Sequence, residues 1–554
     1  MCKYTIGLDF GTLSARAVVV DTADGHVLAC AEHAYEHGVI SGQLPSGQPL
    51  PDCFALQDPR DYIKALFTVV PEAVAQSGIC SDDVIGIGVD FTASTTLPVL
   101  QDGTPLCCLP EFADEPHAYV KLWKHHGAQR QADAMTEAAR ACKEKWLDAY
   151  GGKVSSEWAI PKLLEVLEKA PVVYDRMDEW MEAGDWIVWQ LTGKRVRGGG
   201  LAGYKSLYDP RHGYPNEAYF AAVHSRFCHV IAEKYASPVL PIGTCAGTLT
   251  KNAAMLLGLS TGVYVTVANC DGHVCAPALN VTQPGTMMAI IGTSTGLHLL
   301  NKQLVPVSGI FGAVQDGMIP GLVSYESGQS CVGDLFGWFV DHCVPSEYSQ
   351  CARARNISIH QYLTELAARQ AVGQHGLIAL DWWNGNRSIL SESMLSGLVL
   401  GMTLQTKPED IYRALLEATA FGMRIIIEND RSQGLQINSL VASGGISQKN
   451  ALAMQIYADV LHLPVHVTAT SQGPALGSAI WAAVASGVYS DILTAATRMH
   501  APEKCVYQPN QADSLRYDKL YAAYLSLHDL FGKGQCSQIM KDLLRLKEKA
   551  QMDR

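Results

Sequence analysis

An apolar strand that runs into a carboxylate and then turns through small hydroxylated residues is the feature that most restricts this chain. Tyr4-Thr5-Ile6-Gly7-Leu8-Asp9-Phe10-Gly11-Thr12-Leu13-Ser14-Ala15-Arg16 continues into Ala17-Val18-Val19-Val20-Asp21. Two β-branched strands meeting at Gly11 predict a hairpin whose glycine allows positive φ and lets backbone N–H groups approach an anion. Thr12, Ser14 and Arg16 add hydroxyls and a cation suited to phosphate oxygens. Asp9 interrupts an apolar strand, where an unpaired charge is costly, and a partner such as hydrated Mg²⁺ accounts for it. Taken alone, the segment leaves as its lesser alternative an ordinary hairpin with Asp9 at its end.

A second segment repeats the pattern. Met287-Met288-Ala289-Ile290-Ile291-Gly292-Thr293-Ser294-Thr295-Gly296 leads into Leu297-His298-Leu299-Leu300, again strand, small turn, strand. Two phosphate hairpins about half a chain apart suggest a duplicated fold gripping one nucleotide from both sides.

A chain of 554 residues is too long for one core. A net charge of -12 argues against nucleic acid or an anionic membrane surface as partner, so an anionic substrate needs local cations. The 16 cysteines are scattered, with the adjacent pair Cys107-Cys108 and no Cys-x-x-Cys spacing, which favours reduced thiols and a cytoplasmic setting. Strand sequence carrying Asp9 at the start of the chain is unlike a secretory signal, and no apolar run has the length of a membrane span.

Several motifs are decoys. Asp9-Phe10-Gly11 spells the metal motif of protein kinases, which requires a Gly-rich loop, a strand lysine and a catalytic loop upstream. Gly198-Gly199-Gly200-Leu201-Ala202-Gly203 matches G-x-G-x-x-G but follows a basic segment and opens no clear helix, so a flexible loop is expected there. Gly292-Thr293-Ser294-Thr295-Gly296 matches the nucleophile elbow of serine hydrolases, yet a strand follows where a helix is required. No Gly-Lys-Ser/Thr occurs, so phosphate is held by something other than a P-loop.

The remaining pattern is α/β. Val84-Ile85-Gly86-Ile87-Gly88-Val89-Asp90-Phe91 reads as a buried strand ending in the turn Thr92-Ala93-Ser94-Thr95, and ligands of open α/β sheets sit at such strand ends. From Pro116 to Leu191 the pattern is helical and rich in tryptophan, mostly core. Val263 to Asn269 is a strand ending at Asp271, which alternatively is a helix N-cap. Ile437 to Ser443 is a strand followed by Gly444-Gly445, where a flat ring or a phosphate can lie against backbone, and a helix begins after Asn450.

At this point the chain resembles the FGGY carbohydrate kinases of the actin/hexokinase/sugar-kinase ATPase superfamily over nearly its whole length. Gly397-Leu398-Val399-Leu400-Gly401-Met402, then Asp410-Ile411 and Ala414-Leu415-Leu416-Glu417, looks like the carboxyl-terminal signature, with Leu415 a departure. The amino-terminal signature is poorer: Pro161-Lys162-Leu163 is present, but Glu165 stands where tryptophan is expected. Four further segments look like the branch acting on L-ribulose: Gly88 to Thr95, Pro116 to His126, Ala202-Gly203-Tyr204-Lys205, and Asp381-Trp382-Trp383-Asn384-Gly385-Asn386-Arg387-Ser388.

The resemblance implies two duplicated ribonuclease H-like domains around a cleft, 1–280 with sugar, metal and base, and 281–554 with ATP. It implies ATP-dependent phosphorylation of the terminal 5-hydroxyl of a ketopentose, L-ribulose giving L-ribulose 5-phosphate as in L-arabinose breakdown. Ala93 would pack near the ketose carbonyl end, Lys205 and Glu326 would bond sugar oxygens, Trp123 would line the sugar pocket, and Asp271 would take the proton of the attacking hydroxyl. Asp9 would hold Mg²⁺ through water. Gly11, Thr12, Ser14, Arg16, Gly292 and Thr293 would face the phosphates, and Gly444, Gly445 and Asn450 would form the adenosine shelf. Two lobes closing about a hinge near Pro277 to Pro284 would keep water out.

Phosphoryl transfer asks for alignment and charge neutralisation, and a neutral alcohol also needs its proton removed, which suits a carboxylate at a strand end. Rival readings are an FGGY kinase acting on D-ribulose, xylulose or a polyol, and a nucleotide-dependent switch protein on the same fold. Oligomeric state stays open, a homodimer included. The tail from Lys541 reads as a solvated helix.

Overall fold

The computed structural model describes residues 3–552. Two twisted sheets of the same topology organise the chain. In the first, Tyr4–Phe10 (β1) pairs antiparallel with Ser14–Asp21 (β2), which pairs antiparallel with Val27–Ala34 (β3). Val84–Phe91 (β4) lies parallel to β1 on its other side, and Tyr264–Thr266 (β5) lies parallel to β4. The second sheet repeats this order. Gly285–Ile291 (β6), Thr295–Asn301 (β7) and Val323–Gln329 (β8) are successively antiparallel, and Ile437–Ser443 (β9) and Val465–Thr468 (β10) follow in parallel beside β6. Both anticipated hairpins therefore form, each as the first two strands of its sheet.

The central strands read as apolar runs because helices cover both sheet faces. Residues Ile6, Leu8, Phe10, Ile87, Val89 and Val265 build one core, and Met287, Ala289, Leu297, Leu440 and Val467 another. A third apolar cluster lies in the mostly helical region between β3 and β5. It gathers Trp158, Trp180, Tyr219 and Phe220, and holds the helix Ala159–Lys169 (α1). This part of the chain is the tryptophan-rich stretch, and its rings are mainly core.

The segment Gly199–Lys205 (α2) is a helix, which overturns the flexible loop expected there. Glycine's poor helix propensity is overridden by packing. A Cβ on Gly200 would lie 2.6 Å from Asn269 Oδ1, and one on Gly203 would lie 2.5 Å from Val314 Cγ1. The short strand Arg197–Gly198 precedes it, so the run of glycines serves close approach and not mobility.

Two helices join the halves. Asp271–Ala278 (α3) leaves the first sheet with Pro277 in its last turn, and Gly473–Ala485 (α4), from late in the chain, returns to pack on β1, β4 and α3. Backbones touch at these crossings. A Cβ on Gly7 would lie 1.7 Å from Ala475 O, one on Gly88 1.9 Å from Ser478 O, and one on Gly477 1.9 Å from Val274 O. The terminal helix Ser537–Met552 is anchored and not merely solvated: Met540 is buried and Lys541 Nζ donates to Glu392 Oε2 at 2.5 Å. Among the described residues no helix is long and apolar enough to cross a membrane.

Candidate active site

The ends of β1, β4 and the short strand Asn269–Cys270 converge, and each delivers a carboxylate. Asp9 is the register partner of Asp90 in the parallel pairing, Asn269 pairs with Asp90, and Asp271 opens α3 immediately afterwards. Asp271 is the first helical residue, with Cys270 at the N-cap, so the expectation of Asp271 as N-cap is off by one position. Its Oδ1 accepts from Gly272 N at 2.7 Å. Burial, then the charge of Asp9, push the Asp271 carboxyl up to about 6. Burial also raises Asp9, against the pull of Arg16, and raises Asp90 well above the usual carboxylate range, with Asp9 adding to it. Asp90 Oδ2 accepts from Ser478 Oγ of α4 at 2.6 Å, while Oδ1 has no partner.

A cavity of about 310 Å³ opens beside this corner. Thr12, Ala93, Trp123, Lys205, Asp271, Gly292, Thr293 and Glu326 line it, so eight of the residues singled out from sequence share one space. Asp9 does not line it, and stands 3.4 Å from the Arg16 guanidinium. On the first-sheet side, Trp123 Nε1 donates to Thr12 Oγ1 at 3.1 Å, tying the aromatic wall to the hairpin turn. Gln57 Nε2 holds Thr12 O from behind at 2.8 Å.

From the opposite side β8 presents Glu326, whose carboxylate receives Lys205 Nζ at 3.0 and 3.2 Å. Lys205 is the last residue of α2, so this pair bridges the two halves. Burial pushes Glu326 upward, but Lys205 and His273 outweigh it and hold the carboxyl well below its ordinary value. The Ala93 turn is fixed by Lys162 of α1. Its buried Nζ donates to Ser94 O at 2.6 Å and to Leu122 O at 2.8 Å, joining that turn to the segment carrying Trp123.

Other expected residues have different neighbours. Ser14 Oγ donates to Glu32 at 2.6 Å, and Arg16 bonds Glu32 at 3.1 Å and Asp9 at 3.4 Å. Glu32 stands opposite Arg16 on β3, and the cross-strand contact engages both side chains. Gly11 does not adopt positive φ. Its N–H closes the hairpin onto Ser14 O at 3.0 Å, as Gly292 N does onto Ser294 O at 2.9 Å, so neither amide is the free anion donor expected. Gly444 has φ of 102° and a Cβ there would lie 2.4 Å from Ile291 O, while Gly445 is exposed. Asn450 is engaged as a helix cap: Oδ1 accepts from Ala453 N at 2.9 Å and Nδ2 reaches Thr364 Oγ1 at 3.3 Å.

His273, His298, Phe311, Glu157 and Arg387 also line the cavity and were not singled out. Arg387 lies within a segment quoted for its resemblance, and its guanidinium stands 3.4 Å from Glu157. His298 breaks an apolar strand in the same way as Asp9, a signal that was available.

Asp9, Asp90 and Asp271 offer oxygen atoms of the kind a divalent ion takes, and Arg16 is paired with Asp9. Among the described residues, the only three potential ligand side chains within 4.8 Å of one another are Glu217, Cys228 and His229. An ion at Asp9 therefore keeps most of its ligands from water or substrate.

Family comparisons agree with this geometry. The model of the FGGY family of carbohydrate kinases, N-terminal domain, matches residues 4–276, and that of the C-terminal domain matches 287–486. A ribulokinase of Mycolicibacterium smegmatis is 50% identical over 535 residues, covering 96% of this chain and 94% of that protein. One from Bacillus licheniformis is 47% identical over 540 residues, 97% of this chain and 98% of the relative. Among solved structures, a gluconate kinase from Lactobacillus acidophilus superposes with a TM-score of 0.79 at 17% identity, over 96% of this chain and 99% of that one. A xylulose kinase from Rhodospirillum rubrum gives 0.78 at 24% identity over the same shares. With the duplicated sheets and the shared cavity, these matches establish that the chain belongs to the FGGY family of carbohydrate kinases, with the two-domain actin-like ATPase fold.

Proposed function

We propose that this enzyme transfers the γ-phosphoryl group of ATP to the 5-hydroxyl of L-ribulose, giving L-ribulose 5-phosphate and ADP, in the cytoplasm. The observation that carries this reading is Asp271, a half-buried carboxylate raised to about 6, in one cavity with the Lys205–Glu326 pair and the Thr12 and Thr293 turns. High identity to proteins named ribulokinase over nearly the full chain supports the choice of sugar.

Asp271 accepts the hydroxyl proton as the new O–P bond forms, while the bond from the γ-phosphorus to the ADP oxygen breaks. Lys205 donates to one sugar oxygen and Glu326 accepts from another, which fixes the hydroxyl in line. Ala93 and Trp123 wall the sugar, and Thr12 and Thr293 meet the phosphates. Gly444 and Gly445 leave backbone open for the adenosine. When bound near Asp9, Mg²⁺ would neutralise phosphate charge. The domain division at 280/281 describes the two sheets, with α4 crossing from the second to the first.

The test is an ADP-release assay with L-ribulose, D-ribulose, D-xylulose and glycerol offered in turn. The expected result is the highest kcat/KM for L-ribulose. Preference for xylulose or glycerol, with ribulose poorly used, overturns the assignment.

A further inference from the structure

His298 sits in the middle of β7, directly opposite Glu326 on β8. It lines the cavity and is 4% exposed, yet its ring has no hydrogen-bond partner: Nδ1 is buried without one, and Nε2 is directed between Gly272 and Gly296. A Cβ on Gly272 would lie 3.2 Å from Nε2, and one on Gly296 3.0 Å, so the missing side chains at these two positions admit that edge of the imidazole. Both glycines line the cavity, and Gly272 adjoins Asp271.

The ring is held in place apolarly. His273 packs edge-on against it with centroids 4.8 Å apart, and itself stacks on Tyr204 at 3.8 Å. His273 Nε2 stands 3.3 Å from Glu326 Oε2. The groups facing His298 are therefore His273, Glu326 and, through Glu326, Lys205. Burial, then His273, keep the His298 imidazole neutral, down at about 3. A buried polar ring without a partner is costly unless something pairs with it, and the open side here is the cavity.

The geometry points to His298 as a sugar-contacting residue, its Nε2 edge bonding a hydroxyl of the ketose beside Asp271, Lys205 and Glu326. A neutral imidazole accepts or donates according to tautomer, which suits a hydroxyl that does both. It adds no charge next to a transferring phosphoryl group. The inference rests on the proposed ketose kinase reaction.

The test compares His298→Leu, His298→Gln and the wild type by steady-state kinetics, and by L-ribulose binding without nucleotide, read from tryptophan fluorescence. Leu is expected to lower kcat/KM for L-ribulose about 10- to 100-fold and weaken sugar binding in step, with KM for ATP unchanged, and Gln to recover part of the loss. If Leu does not fold, as judged by its thermal transition, Gly296→Ala crowds the ring from the cavity and is expected to raise KM for the sugar selectively. Unchanged sugar kcat/KM in the folded variants, or a loss falling on KM for ATP, which would mean a phosphate contact, overturns the inference. A wild type that does not use ribulose instead overturns the assigned reaction.

Discussion

Asp271 gives the sharpest pH prediction. Its carboxyl is raised to about 6 by burial and then by the charge of Asp9, and only its ionised form can take the hydroxyl proton. With a pKa near 6, about 90% of the enzyme is competent at pH 7 and about 9% at pH 5. The acid limb of kcat/KM for the sugar should therefore fall roughly tenfold between these values. Two cavity groups lie outside that window: Glu326 is held well below its ordinary range by Lys205 and His273, and His298 lies near 3. Lys162, drawn down to about 7 by burial, loses its proton as pH rises and affects only the alkaline side.

Replacement of Asp271 by Asn keeps an acceptor for the Gly272 N–H, so the helix start survives while the base is lost. The expected loss in sugar-dependent kcat is about 10²- to 10⁴-fold, or about 3–5.5 kcal/mol of barrier, with the acid limb abolished in the residual rate. ADP release across pH 4.5–8, with nucleotide affinity measured separately, decides the matter. Saturation with magnesium nucleotide should shift the limb of kcat to lower pH, because positive charge near Asp9 offsets its push on Asp271. Turnover of Asp271→Asn within a few-fold of wild type, or an unchanged acid limb in that variant, refutes Asp271 as the base.

Lys162→Met leaves the Ser94 and Leu122 carbonyls without their buried donor, and should cost about 2–5 kcal/mol in denaturant unfolding while raising KM for sugar more than for ATP. Gly477→Ala puts a Cβ 1.9 Å from Val274 O and must pry α3 from α4, so the denaturation midpoint should drop by at least about 1–3 kcal/mol equivalent.

What could be read in the sequence was what is local. Asp9 before Gly11-Thr12, the Gly292-Thr293 copy and Asp271 at a strand end all declare themselves because a charge or a small turn interrupts an apolar run. The pairing of Ser14 and Arg16 with Glu32 was not legible, because Glu32 lies on a third strand whose register no local pattern reveals. The Gly198 to Gly203 helix was hidden because glycine's propensity says loop, whereas contacts with Asn269 and Val314, distant in sequence, decide otherwise. Asn450 at the start of its helix is a local cap signal of the kind a sequence does show. His298 was legible by the rule that found Asp9, since Leu297-His298-Leu299 also breaks a buried strand.

The position of the base depends on both halves of the chain. Asp271 occupies the first turn of α3, where the helix dipole favours its ionised form against the cost of burial. The middle of that short helix meets α4 at backbone distance, and α4 also packs on β1 at Gly7 and hydrogen-bonds Asp90 through Ser478. All three carboxylates thus refer to one helix encoded between some 200 and some 460 residues later. Lys205 and Glu326, in contrast, meet across the cleft from opposite halves, one at the end of α2 and the other on β8. A movement of the lobes would alter the Lys205–Glu326 distance while the α3–α4 packing keeps Asp271, Asp90 and Asp9 in a fixed relation. Substrate closure in this fold can therefore tune the grip on the sugar without displacing the base from the metal carboxylate.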